Sequence, residues 1–379
     1  MILIVKTKLL PTPEQAKMLL STMERINEAC NWLAGKAFKE NTADKIRLHH
    51  EFYQELRSKF NLSSQMAVRV IGKVCDAFKK NRKIQPVFKS HSAVPYDQRI
   101  LTFKAMDRVS ILTLEGRIKI PFVVGDYFRS RLEGVRRQAD LIFNKGKWYL
   151  YVNVEVPEEA QINPKEWMGV DLGIRNLAVD SDGDKHTGDK VEVVRQKQAR
   201  LKADLQSVGT KSSKKKLKAL SGKEARFRAY TNHTISKTLV SKAKDTGRGI
   251  ALEDLKGISN RATVRRNQRN MHFSWGFYQL RSFIEYKARL SGVPVAVVPA
   301  YNTSITCPEC DCINKRNRRS QAEFCCKSCG FSDHADHVGA INIARRAAVN
   351  QPIVAAIGRE TKKLDTPLRS ATNRKKNLR

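Results

Sequence analysis

The chain carries two textures of hydrophobic patterning. Its opening segment, ILIVKTKLL, reads as a strand closed by Pro11 and Pro13. From Glu14 to about Lys80 the period lengthens. Met18, Leu19, Met23, Ile26, Cys30 and Leu33 recur at spacings of one, three and four, which predicts an amphipathic helix. A second helical run, SSQMAVRVIGKVCDAFKK, starts at a serine cap and turns Val68, Ile71, Val74, Cys75 and Phe78 to one side. Alternation returns between Gln85 and Pro157 in RVSILTL, RIKIPFV, ADLIFN and KWYLYVNVEV, and the turns LEGR and NKGK mark hairpins. Residues 1–157 therefore predict a β-barrel-like unit with a helical insertion, at about 14–85, after its first strand.

A polar, acidic linker spans Pro157 to Pro164, and the texture then changes. WMGVDLGIRNLAVDSDGDKHTG predicts strand, turn, strand. A basic helical stretch follows from about Glu192 to Lys244, then a strand GIALEDL, an Arg-rich segment, a helix around Trp275–Leu290 and a strand VPVAVVPA. A cysteine cluster interrupts, and ADHVGAINIARRAAV closes the unit as a helix. The basic tail over 351–379 reads as disordered. The fold class expected is multidomain α+β and α/β.

Charge narrows the partners. Seventy-one Lys+Arg against 37 Asp+Glu leave +34 at neutral pH. A compact chain that positive repels itself unless a polyanion neutralises it, and nucleic acid does so with release of counterions. No run of 18 apolar residues is present to span a bilayer, and the first residues do not read as a signal peptide. The expected setting is the cytoplasm of a prokaryotic cell, on the nucleoid, with no membrane partner.

Three carboxylates stand out. Asp171 ends the apolar run MGV, Glu253 ends GIAL, and Asp336 begins the last helix. This order is what a ribonuclease-H-like sheet needs: two acids at neighbouring strand ends, and a third on a helix packed over them. Gly339 and Ala340 leave that helix room to approach. Such a trio can bind two Mg2+ ions about 4 Å apart for phosphodiester hydrolysis. Asp254 is a decoy, because alternation turns it away from Glu253. Asp333 is another, lying in the approach to the helix. The Asp180–Asp184 turn departs from a calcium loop at Lys185 and Val191, and reads as a hairpin turn.

Six of the eight cysteines lie between Cys307 and Cys329. Cys307-Pro-Glu-Cys310 and Cys326-Lys-Ser-Cys329 are two C-x-x-C knuckles, 15 residues apart, and four thiolates at that spacing close a structural Zn2+ site. Cys312 and Cys325 are extra.

Together GVDLGIRNLAV, ALEDLKGI, the run from SWGFYQLRSFIEYKARLSGVPV to YNTSITCPEC, and CGFSDHADHVGAINIARR resemble the TnpB family of transposon-encoded RNA-guided nucleases. The resemblance covers most of 165–348. It implies a RuvC nuclease domain over 165–306 and 331–350 with a zinc insert at 307–330. Asp171, Glu253 and Asp336 would hold two catalytic Mg2+, and Cys307, Cys310, Cys326 and Cys329 one zinc. It further implies a wedge-like barrel with a recognition insert that reads a short motif beside a double-stranded DNA target. A noncoding omega RNA from the transposon end would supply the guide. Asp311 stands where the family commonly has glycine after the second cysteine. Gln65 and Arg69, one turn apart, are the candidate motif readers. Lys214, Lys215, Lys216, Arg261, Arg265 and Arg266 are candidate contacts to RNA and heteroduplex. The rival readings are a compact type V CRISPR effector of the same chemistry, a noncatalytic nucleic-acid-binding regulator, and a strand-transfer transposase.

Overall fold

The computed structural model describes residues 1–104, 107–254 and 276–349. The chain divides into two compact units, Met1–Glu158 and Glu159–Arg379. Among the described residues, no helix is long and apolar enough to cross a membrane.

The first unit is a seven-stranded sheet in the order β2-β6-β7-β1-β5-β4-β3, with every pairing antiparallel. The strands are β1 (Ile2–Leu9), β2 (Val94–Tyr96), β3 (Leu101–Lys104), β4 (Arg108–Thr113), β5 (Gly116–Val123), β6 (Val135–Asn144) and β7 (Lys147–Glu155). The sheet curls into a nearly closed barrel. The buried Tyr96 on edge strand β2 donates its hydroxyl to the Leu112 carbonyl of β4, 3.1 Å away. After β1 come three helices, α1 (Pro13–Lys39), α2 (Lys45–Phe60) and α3 (Ser64–Phe78), where the periodicity alone predicted two runs. The extra break follows from local chemistry. Asp44 caps α2 by accepting from the Arg47 N–H, and Asn61 ends it in the left-handed conformation. Thr12 and Gln15 form a reciprocal capping box at the start of α1. In α3, Ile71, Val74, Cys75 and Phe78 are buried, while Val68 is half-buried beside the buried Ala67. A short helix α4 (Asp126–Leu132), absent from the sequence reading, joins β5 to β6.

The second unit is a mixed sheet ordered β10-β9-β8-β11-β12. Its strands are β8 (Trp167–Asp171), β9 (Asn176–Asp180), β10 (Lys185–Thr187), β11 (Gly249–Glu253) and β12 (Val295–Val298). Strands β8, β11 and β12 are parallel, while β9 and β10 run antiparallel. The basic stretch expected as one helix is three: α5 (Asp189–Val208), α6 (Lys211–Leu220) and α7 (Lys223–Asp245). Gly209 and Gly222 take positive φ at the breaks, and Thr210 caps α6. Helix α8 (Phe277–Leu290) precedes β12, and α9 (Ala335–Val349) is the last described element.

Side-chain alternation sorts this sheet into two faces. Met168, Val170, Ile250 and Leu252 pack against Ile235 and Leu239 of α7 and Leu280 and Ile284 of α8. Ala251 and Val298 face Ile343 and Ala347 of α9 instead. The backbone of α9 lies very close to β8. A Cβ built on Gly169 would sit 2.0 Å from the Ala340 carbonyl oxygen and 2.6 Å from the Ala344 nitrogen. Gly169→Ala should therefore lower unfolding free energy by about 3 kcal/mol or more, above the usual range for overpacking because backbone must move. Gly72→Ala in α3, where a Cβ meets nothing within 4 Å, should be neutral or stabilising. Paired thermal melts of the two variants check this.

Candidate acidic site and cysteine cluster

Residues 167, 169 and 171 of β8 and residues 249, 251 and 253 of β11 share the α9 face of the sheet. The two strands are parallel with Leu252 opposite Val170, so Asp171 and Glu253 are carried to neighbouring strand ends. Asp336 lies in the first turn of α9. The helix reaches Asp171 through Gly339, where an added Cβ would lie 3.3 Å from Asp171 Oδ2. The three candidate acids are thus brought together by one helix–sheet contact. Burial first, then the charges of Glu253 and Asp336, push the Asp171 carboxyl up to about 8. Burial also raises Glu253, against the Thr303 hydroxyl and the charges of Arg346 and Arg318.

Three residues that the sequence reading did not single out, Asn176, Thr303 and Asn342, hold these acids together with Arg318, which the sequence offers as a candidate phosphate contact beside the cysteine knuckles. Asn176 Nδ2 donates to Asp336 Oδ2 at 2.8 Å. The Thr303 hydroxyl donates to Glu253 Oε1. Asn342 of α9 fixes the loop that carries Thr303, donating to the carbonyls of Thr303 and Thr306 at 2.7 and 2.8 Å. Arg318 brings Nη2 to 3.8 Å from Asp336 Oδ1. None of these has a spacing signature, since each partner is between 18 and 160 residues distant.

The decoys separate from the trio. Asp254 is exposed, follows the end of β11 and lies 3.4 Å from Arg281 Nη1. Asp333 accepts from the His334 N–H and binds His337 Nδ1 at 2.6 Å. The Asp180–Asp184 turn is the β9–β10 connection. Lys242 Nζ reaches Asp180, Asp182 and Asp184 at 2.5, 2.8 and 2.7 Å, and Arg248 grips Asp182 with two hydrogen bonds. Arg248 foremost, with Lys242, holds Asp182 far below the usual carboxylate range.

The thiols of Cys307, Cys310, Cys326 and Cys329 all lie within 4.8 Å of one another. The backbone N–H groups of Cys329 and Ser328 draw the Cys326 thiol down to about 6, favouring thiolate. Asp311 takes φ 54° after the first knuckle, doing in the left-handed region what a glycine does freely. Buried Asn317 staples the knuckles, donating to the carbonyls of Ile305 and Cys312 and accepting from the Lys327 N–H. Cys307, Phe324 and Cys326 share a small core with Ala335 and Val338 of α9. The cluster is therefore packed onto the helix that bears Asp336. Cys312 and Cys325 stand outside the set of four.

The nucleic-acid candidates have mixed placements. Gln65 and Arg69 do share a face of α3, but both donate to Asp97 Oδ2, and Arg99 donates to Gln65 Oε1 at 3.2 Å. Gln65 has part of its amide already engaged within the protein. Lys214, Lys215 and Lys216 are exposed on α6. Arg261, Arg265 and Arg266 lie outside the described residues.

The architecture aligns with the mini-RNA-guided endonuclease CRISPR-Cas phi3 at TM-score 0.58 and 12% identity, covering 93% of each chain, so the two share a fold. Two family models match: "Probable transposase" over 150–258 and "Cas12f1-like, TNB domain" over 277–343. A TnpB-like protein of Methanocaldococcus jannaschii is 29% identical over 263 residues, covering 64% of this chain and 91% of the relative. The CRISPR-associated endodeoxyribonuclease Cas12f1 of Syntrophomonas palmitatica is 32% identical over 206 residues, covering 50% of this chain; the match spans only 40% of that relative. The fold is thus that of compact Cas12-type effectors. Within that class, the chain is similar in sequence to TnpB-like proteins.

The raised Asp171 pKa has a consequence for stability without metal. An acid whose folded pKa is raised favours the folded state below its unfolded value, near 3.8, and loses that contribution as pH climbs through about 8. Metal-free Asp171→Asn should therefore be more stable than wild type at pH 8, by on the order of a few kcal/mol, with the advantage fading towards pH 4. Chemical denaturation in chelator across that range reads it directly.

Proposed function

We propose that this chain is an RNA-guided DNA endonuclease whose second unit is a RuvC nuclease domain. The observation that carries the reading is the convergence of Asp171, Glu253 and Asp336 at two parallel strand ends under one helix. The likeness to a TnpB-like protein supports the rest, as does the endodeoxyribonuclease named among the relatives. Base pairing with a guide RNA would carry sequence specificity, and the protein would read backbone, duplex geometry and a short flanking motif. A motif contact at α3 would draw on Gln65 and Arg69, already gathered on Asp97.

The donor set fits Mg2+. It is oxygen-only, and Asp171 is held at a pKa that a divalent cation would relieve. Asp171, Glu253 and Asp336 would hold two ions, which when bound supply water activation and stabilisation of the leaving oxygen. The chain's own contribution is positional. Thr303 orients Glu253, Asn176 orients Asp336, and Arg318 adds positive charge beside the carboxylates where phosphate charge must be met. The four thiols fit a structural Zn2+, since a closed sulfur set leaves no open ligand position. That site would anchor the start of α9.

Two experiments test this reading. Asp171→Ala, Glu253→Ala and Asp336→Ala should each abolish Mg2+-dependent cleavage by the guide-loaded protein and leave target binding in place, while Asp254→Ala stays active. Activity in the Glu253 variant with loss in the Asp254 variant would overturn the assignment. Elemental analysis should find about one zinc per chain. Cys307→Ser or Cys329→Ser should lose both zinc and thermal stability, whereas Cys312→Ser keeps them.

A further inference from the structure

The cysteine insert holds more thiols than a tetrahedral metal needs. Cys307, Cys310, Cys326 and Cys329 make up the set of four, and Cys312 and Cys325 remain. The two spare thiols are placed differently. Phe324 points into the small core shared with α9, so alternation along the strand Glu323–Cys325 turns Cys325 to the opposite face. Cys312 is turned inward. Thr306 and Ile313 form an antiparallel bridge, and the Cys307 N–H donates to the Cys312 carbonyl at 3.0 Å. Cys307 and Cys312 therefore stand opposite each other in a hairpin, where facing residues send their side chains to the same side. That side holds the thiol set. Half-buried Cys312 packs against the core that contains Cys307 and Cys326, and its thiol neighbours that of Cys326. Asn317 keeps these two segments in register. Its Nδ2 donates to the Cys312 carbonyl at 3.0 Å, and its Oδ1 accepts from the N–H of Lys327, the residue after Cys326, at 2.9 Å.

A thiol outside the metal set, held beside a thiol inside it, is suited to disulfide chemistry. We infer that Cys312 is an oxidative modification site: a hydroperoxide converts it to a sulfenic acid, and Cys326 then closes on it as a disulfide. In the first step the Cys312 sulfur takes one peroxide oxygen, releasing water from hydrogen peroxide or an alcohol from an organic hydroperoxide. In the second the Cys326 sulfur attacks the Cys312 sulfur, and the sulfenic oxygen leaves as hydroxide, protonated to water. Two electrons pass from the sulfur pair to the peroxide. The disulfide takes one ligand from the set of four, so bound zinc is lost. That consequence rests on the zinc reading; the disulfide itself does not. Cys326 shares its core with Ala335 and Val338, so the change reaches the helix start that bears Asp336.

The test treats the full-length protein with hydrogen peroxide and maps its disulfides by mass spectrometry without reduction. A peptide pair joined through Cys312 and Cys326 is expected, and dithiothreitol should reverse it. Zinc release, followed with a chromogenic chelator, should be several-fold slower in Cys312→Ser and unchanged in Cys325→Ser. Cys312→Ala repeats the measurement with a residue that forms no hydrogen bond through its side chain. Zinc content before treatment tests the four-thiol reading separately, and the disulfide map decides this proposal whether or not metal is found. Cys312 left reduced, Cys312 joined to a different partner, or equal rates of zinc release from wild type and both Cys312 variants overturns it.

Discussion

The second unit depends on how closely one helix can approach one strand. Backbone atoms of α9 occupy the space where any side chain at Gly169 would begin. That contact sets the depth at which Asp336 enters, and Gly339 clears the path to Asp171 on the same helix face. Asp171 is raised by burial first and then by the charges of Glu253 and Asp336, so bringing it to this place has an electrostatic cost. The attraction that holds the acids together is apolar. Ile343 and Ala347 pack on Ala251 and Val298 behind the acids, so packing energy from one end of the contact offsets repulsion at the other.

The cysteine cluster extends the same logic. It is inserted between β12 and α9 and shares its core with the first residues of that helix. A helix start is where backbone N–H groups lack partners and fraying begins. Packing a rigid knuckle there stabilises the turn that must hold Asp336 still. Asn342 and Thr303 tie the preceding loop to the middle of α9 and to Glu253. Two of the three acids are thus coupled to the insert and its loop through hydrogen bonds and packing.

The large positive charge is spread unevenly in its consequences. Lys242 and Arg248 are consumed in neutralising an acidic turn, and Arg69 in binding Asp97. Lys214, Lys215 and Lys216 stand exposed on α6, as does Lys237 on α7. A net charge read from composition cannot distinguish a cation that stabilises the fold from one left to attract a polyanion. Ion pairs decide it.

Alternation and spacing determined a good deal by themselves. Asp254 falls away from Glu253 because a strand turns successive residues to opposite sides, while the β8–β11 register puts Asp171 on the same face as Glu253. Each C-x-x-C knuckle brings its own two thiols together almost regardless of context, because each knuckle is a local turn. The alternation and the knuckles depend on neighbours in sequence, and so the sequence alone carried them. Helix breaks were less legible. Gly209 and Gly222 interrupt a continuous basic pattern only because each adopts a positive φ that periodicity does not register. The residues that position the site were not legible at all. Asn176 meets Asp336 across 160 positions, and Thr303 meets Glu253 across 50. Asparagine and threonine are common, and nothing local marks these two. Gly169 read as a small residue in an apolar run, and only the packing of α9 against it showed that no larger one would fit. Long-range proximity is a property of the folded chain, set by how two surfaces pack, and only the tertiary structure could decide it.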